Sequence, residues 1–138
     1  MAGFKFRYRL CGAAPTIMDL TFKDTETLSK GDIVNLESGT IDLGATADTN
    51  LLGVVLETQA GTTAVTKAKV IVDADAVYGI ADANARVIGA TLDLSGTTGA
   101  QGVTTSSNKE FVVVAGSSAS EETLVRINVG KHFANKAQ

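Results

Sequence analysis

The stretch whose reading decides the fold is Leu28 to Thr58, LSKGDIVNLESGTIDLGATADTNLLGVVLET. Lys30-Gly31-Asp32 is a turn signal, because glycine takes positive φ without a Cβ clash and aspartate bonds the backbone just downstream of itself. Ile33-Val34-Asn35-Leu36 then reads as a short strand running into a second turn at Glu37-Ser38-Gly39. Thr40-Ile41-Asp42-Leu43 resumes as strand, and Gly44 to Asn50 is small and polar, a surface loop. Leu51-Leu52-Gly53-Val54-Val55-Leu56 is apolar nearly throughout, the pattern of a strand covered on both faces. No catalytic constellation lies in this segment, which reads as scaffold.

Working outward, the same period-two logic finds further strands. Phe4 to Leu10 alternates strictly: Phe4, Phe6, Tyr8 and Leu10 on one face, Lys5, Arg7 and Arg9 on the other. Two readings follow. The segment is either an edge strand of its own sheet, blunted by cations, or an arm that adds to another chain's sheet. Cys11 to Pro15 is a break. Ile17 to Phe22 is a half-buried strand, with Met18, Leu20 and Phe22 inward. Ala64 to Asp73 is a strand with a deeper second half, and Asp75 to Ala81 reads as its return strand. Asp82 to Ala90 is a helical turn or loop, with Asp82 as cap and Gly89 as stop. Thr91 to Leu94 is a short strand. Ser95 to Asn108 is rich in Gly, Ser and Thr, an exposed hairpin or mobile loop. Glu110 to Ala115 is a β-branched core strand, and Leu124 to Val129 alternates cleanly. About nine or ten short strands with glycine-rich turns argue an all-β sandwich or barrel. No repeat period is evident.

Composition sets outer bounds. The chain has 138 residues, of which 44% are apolar and 20% charged, an ordinary globular mix for one domain. A net charge of −3 argues against general nucleic-acid binding, which needs a basic surface. Cys11 is the single cysteine, so no intrachain disulfide forms. No apolar run approaches the ~18 residues of a membrane-crossing helix, and the N-terminus lacks the separate apolar core of a secretory signal. A cytosolic site of synthesis is the expectation.

The search for chemistry returns little. His132, the only histidine, sits in what reads as a solvent-facing tail, and a pairing with Cys11 has no third group to orient it. Asp73, Asp75 and Asp82 form the densest carboxylate group, yet the glycine and terminal glutamate of a calcium loop are missing, and turn or capping roles suit them better. No phosphate-cradling loop precedes a helix, and one cysteine with one histidine gives no metal-ligand spacing. The expectation is no catalytic site, no cofactor, no metal and no enzyme activity.

The run Gly31-Asp32-Ile33-Val34, then Ser38 to Leu43, then Leu52 to Thr58, followed by a valine-rich strand and Asp75-Ala76-Val77-Tyr78, resembles small proteins that decorate or cement the capsids of tailed phages. The resemblance covers residues 28–80. It implies a compact β-barrel or β-sandwich, β-tulip-like, often a homotrimer, bound outside the shell where major capsid protein subunits meet. The alternation at the terminus and the break at Cys11 to Pro15 divide the chain into an N-terminal arm over residues 1–14 and a β-domain over 15–138. The resemblance further implies a virion location, with synthesis in the host cytoplasm, and neither membrane nor direct nucleic-acid partners. In such proteins an N-terminal segment commonly adds a strand on the capsid, which maps onto Phe4, Lys5, Phe6, Arg7, Tyr8 and Arg9. Two alternatives stand beside it: a tail-tube or head–tail connector protein, and a small β-barrel hydrolase using Asp73, Asp75 or Asp82.

Overall fold

In the computed structural model, residues 3–22, 26–60, 67–105, 107–118 and 121–133 are described. They form thirteen strands and no helix. In chain order these are β1 (Lys5–Arg9), β2 (Ile17–Thr21), β3 (Thr27–Leu28), β4 (Ile33–Glu37), β5 (Thr40–Leu43), β6 (Leu51–Val54), β7 (Gln59–Ala60), β8 (Lys67–Ile71), β9 (Ala76–Ala81), β10 (Thr91–Ser95), β11 (Gly102–Thr105), β12 (Phe111–Ala115) and β13 (Glu122–Ile127). Every ladder is antiparallel.

Six strands make the large sheet, in the order β1-β9-β13-β12-β10-β11. β5-β4-β6 forms a second sheet, and β2-β8 and β3-β7 form two short ribbons. Single bridges join the smaller pieces, Val55 to Val70 and Phe22 to Ile41. The strands thus wrap a second core without a continuous ladder, and no closed barrel results.

β4 and β6 separate the two cores. Ile33, Leu51 and Val54 face the large sheet and pack with Phe4, Tyr78, Leu92, Phe111, Val125 and Ile127. Val34, Leu52 and Val55 face the other way, toward Phe22, Leu28, Ile41, Ala68 and Val70. Both faces of this stretch are therefore covered, as the unbroken apolar run of Leu51 to Leu56 requires. A bulge makes the division possible. Asn35 pairs with Leu51 and Val34 with Gly53, which leaves Leu52 as the extra residue. That insertion shifts the side-chain phase by one, so Leu51 and Val54 share a core although three residues apart.

Several expectations need correction. Asp75 to Ala81 is not the return strand of a hairpin with the strand before it. β8 pairs with β2, whereas β9 pairs with β1 and β13, so the chain changes sheets at Asp73–Asp75. Tertiary pairing overrides the proximity of two strand-like runs. Asp82 caps no helix. Its Oδ1 accepts the amide of Asn84 and its carboxylate pairs with Arg86, which holds Asp82–Arg86 as an aspartate turn. Met18 is exposed instead of inward: β2 is one strand of a two-stranded ribbon, and only Leu20 of its residues is partly buried.

The stretch Ser95 to Asn108 forms the expected hairpin, exposed over residues 96–100, but it is anchored to the body of the protein. β10 and β11 pair through it, and Gln101 at its centre is buried. Gln101 Oε1 accepts the Ile33 amide at 2.6 Å, and its Nε2 donates to the carbonyls of Ile33 and Gly44. The Gly99 amide donates to Asp32. A run of small polar residues carries no sequence sign that one of them will fill a core position.

Gly53 is the sharpest steric constraint. A Cβ there would lie 1.9 Å from the Ile71 carbonyl oxygen and 2.5 Å from the Tyr78 hydroxyl. Gly53→Ala is therefore expected to destabilise the protein by about 3 kcal/mol or more. Chemical denaturation checks this; an alanine variant within about 1 kcal/mol of the parent would show that β6 and β8 are not so closely apposed.

A candidate docking surface on the first strand

β1 runs along one edge of the large sheet, antiparallel to β9. Its residues divide into two groups. Phe4, just before it, is core: it is 2% exposed and stacks on Phe111 with ring centroids 5.1 Å apart. Phe4, expected among the contact residues of this segment, is thus almost wholly covered by its own chain. Phe6 is half-buried and meets Tyr78 edge-on. Tyr8 and Leu10 are exposed, as are Ile17 and Met18 on β2. The strict alternation breaks at a bulge between Phe6 and Tyr8, where Arg7 is the extra residue.

The cations are not equivalent. Arg7 pairs with Glu122, two strands away on β13. The intervening β9 lets the carboxylate cross because Gly79 has no side chain; a Cβ there would lie 2.0 Å from Glu122 Oε1. The hydrogen bond from Arg7 holds the Glu122 pKa below the ordinary range. Both side chains are substantially exposed, so the pair positions β1 more than it stabilises it. Arg9 Nε donates to Asp75 at 2.8 Å, and its Nη1 lies 3.4 Å from Asp73. Burial alone would raise the Asp75 pKa, but Arg9 and the Cys11 amide and thiol outweigh it and hold it at about 2. Lys5 is exposed and has no ion pair among the described residues.

The residues considered for catalysis are each engaged by other parts of the chain. Asp73 accepts the Thr16 amide and approaches Arg9, Asp75 binds Arg9, and Asp82 binds Arg86. Among the described residues, no cluster of three or more His, Cys, Asp or Glu side chains is arranged to hold a metal. His132 is not in a solvent-facing tail. It is fully buried, bridges to Leu51, and its Nε2 lies 2.8 Å from the Leu52 carbonyl, which can only accept. The only hint in the sequence was Phe133 beside it. Cys11 is exposed, and its amide donates to Asp75.

No protein-family model matches the sequence, and no curated protein matches it. The fold, however, is similar to that of a solved structure, the N base of the head fiber gp8.5 of bacteriophage phi29. The TM-score is 0.53 at 13% identity, over 84% of this chain and 98% of that one. At that identity the likeness is one of fold.

Two titrations follow. Burial pushes the His132 pKa below its ordinary value of 6.5. Protonation therefore favours the unfolded chain: stability is full above pH ~6.5 and falls as pH drops from there toward the folded-state value. The ring C–H resonances of this single histidine should titrate with a midpoint below 6.5; a midpoint at or above it contradicts the burial. In Arg9→Met, the Asp75 pKa should rise from about 2 toward 3.8, read by carboxyl-carbon NMR; no change would mean Arg9 does not hold it.

Proposed function

We propose that this chain is a structural protein of a tailed-phage head, one that decorates the outer surface of the shell and bridges major capsid protein subunits. The observation that carries the reading is the likeness of fold to the phi29 head fiber base, which extends over 98% of that chain. Three features agree with it. The motif run over residues 28–80 resembles that of decoration proteins. The candidate side chains for chemistry, Asp73, Asp75, Asp82 and His132, are each engaged by a scaffold partner. The exposed apolar residues Tyr8, Leu10, Ile17 and Met18 follow one another along β1 and β2, which both bond to the Ile71–Ala76 segment.

A decoration protein works by repetition. Many modest contacts on a symmetric lattice multiply into tight retention, so no single deep site is required. Trimerisation would bury apolar area that a lone chain leaves exposed. On this reading the protein is not an enzyme and needs no cofactor.

The test is binding to purified heads. Cryo-electron microscopy of heads mixed with the protein should place it outside the shell. Tyr8→Ser with Leu10→Ser should lower head affinity at least tenfold while thermal unfolding stays within a few degrees. Virions lacking the chain, or density only in the tail, would reject the proposal. Sedimentation equilibrium decides the assembly: a trimer is expected, and a larger closed ring would point to a tail-tube or connector role.

A further inference from the structure

A groove of about 370 Å³ opens between the start of β1 and the Val54–Leu56 segment, with Gly31 in its wall. It lies within the usual size range of ligand pockets, about 300–1,000 Å³. Its apolar lining comes from Phe4, Phe6, Val54 and Leu56. Lys5 and Lys30 stand beside it, both exposed. Neither forms an ion pair among the described residues. Glu122 shares the field of Lys5, but its carboxylate is already taken by Arg7.

The groove also borders a backbone edge. The Phe4 amide donates to the Gly31 carbonyl at 2.8 Å. Beyond that bond, among the described residues, the strand from Lys5 to Arg9 pairs with β9 alone, and its other side has no strand. Cations on an edge normally deter pairing. An edge that is only being blunted has no need of an apolar groove beside it.

We infer that this groove seats an extended segment of the protein the chain docks on, one in which carboxylates flank an apolar side chain. The segment lies along the free edge of β1, its apolar side chain enters between Phe6 and Leu56, and its carboxylates meet Lys5 and Lys30. Strand addition supplies backbone hydrogen bonds, and the groove and the two cations supply selectivity. The charge pattern rejects a second copy of β1 as occupant. A second β1 would bring further cations and no free carboxylate to Lys5 and Lys30, since Glu122, Asp73 and Asp75 are already held by Arg7 and Arg9.

The inference rests on the docking role proposed above, and two arms separate their failures. In the first, isotope-labelled protein is titrated with a blocked heptapeptide alternating aspartate with valine, and with its lysine–valine counterpart. The acidic peptide should shift the amides of Lys5, Phe6, Lys30, Gly31 and Leu56, and Lys5→Glu with Lys30→Glu should weaken it at least tenfold. No shifts at millimolar peptide, or equal binding of the basic peptide, overturns the groove assignment. In the second arm, the same double variant is bound to heads. Loss of head affinity with unchanged thermal unfolding supports the groove; unchanged head affinity overturns it and leaves the decoration role standing. Failure of the unmodified protein to bind heads would instead sink the docking role, while the peptide result would still decide what the groove accepts.

Discussion

The structure depends on one packing constraint, the burial of both faces of β4 and β6 between two hydrophobic cores. Ile33 and Val34 are adjacent residues with fully buried side chains in different cores. A strand in that position has no solvent side, so its register tolerates no slip: a one-residue shift would exchange the two sets of side chains. The bulge at Leu52 and the missing side chain at Gly53 are the local consequences. The first sets the phase of the apolar residues, and the second lets β8 and Tyr78 come close.

Doubly covered strands leave polar groups with no access to water, and the protein answers with buried side chains that serve the backbone. Asp32 accepts amides from Ser29 and Gly99, Gln101 bonds Ile33 and Gly44, and Glu110 accepts the Leu94 amide. Burial raises the pKa of Asp32 and of Glu110, and these amide bonds oppose the rise. An unmet backbone group in such a site costs about 1–3 kcal/mol, so these residues tie distant segments together. They also explain why the Gly/Ser/Thr stretch after β10 is held against the Lys30–Asp32 turn.

Much of this was legible in the residues. The all-β class, the turns at Gly31 and Gly39, and the double coverage of Leu51 to Val55 follow from pattern alone. So does the alternation of β13, whose Val125 and Ile127 face the core. What was hidden depends on non-local pairing. No periodicity says that β9 abandons β8 for β13, that Gln101 enters a core, or that His132 docks on the Leu52 carbonyl. On β1, alternation placed Phe4 with Tyr8, whereas the bulge at Arg7 and the stacking of Phe4 on Phe111 divide them. The ion pair from Arg7 to Glu122 was invisible for the same reason: 115 residues separate its partners.

The proposed docking surface follows from the same architecture. With the interior consumed by two cores, what the fold offers a partner is an edge strand, a groove at its start and exposed apolar residues after it. The central claim is that β4 and β6 hold the rest together, and native-state amide hydrogen exchange tests it most directly. If it is right, Val34, Leu51 and Val54 exchange only through global unfolding and match the slowest amides of the large sheet. If those three amides exchange through a local opening while β9, β12 and β13 stay protected, the large sheet is the true foundation and the account is wrong.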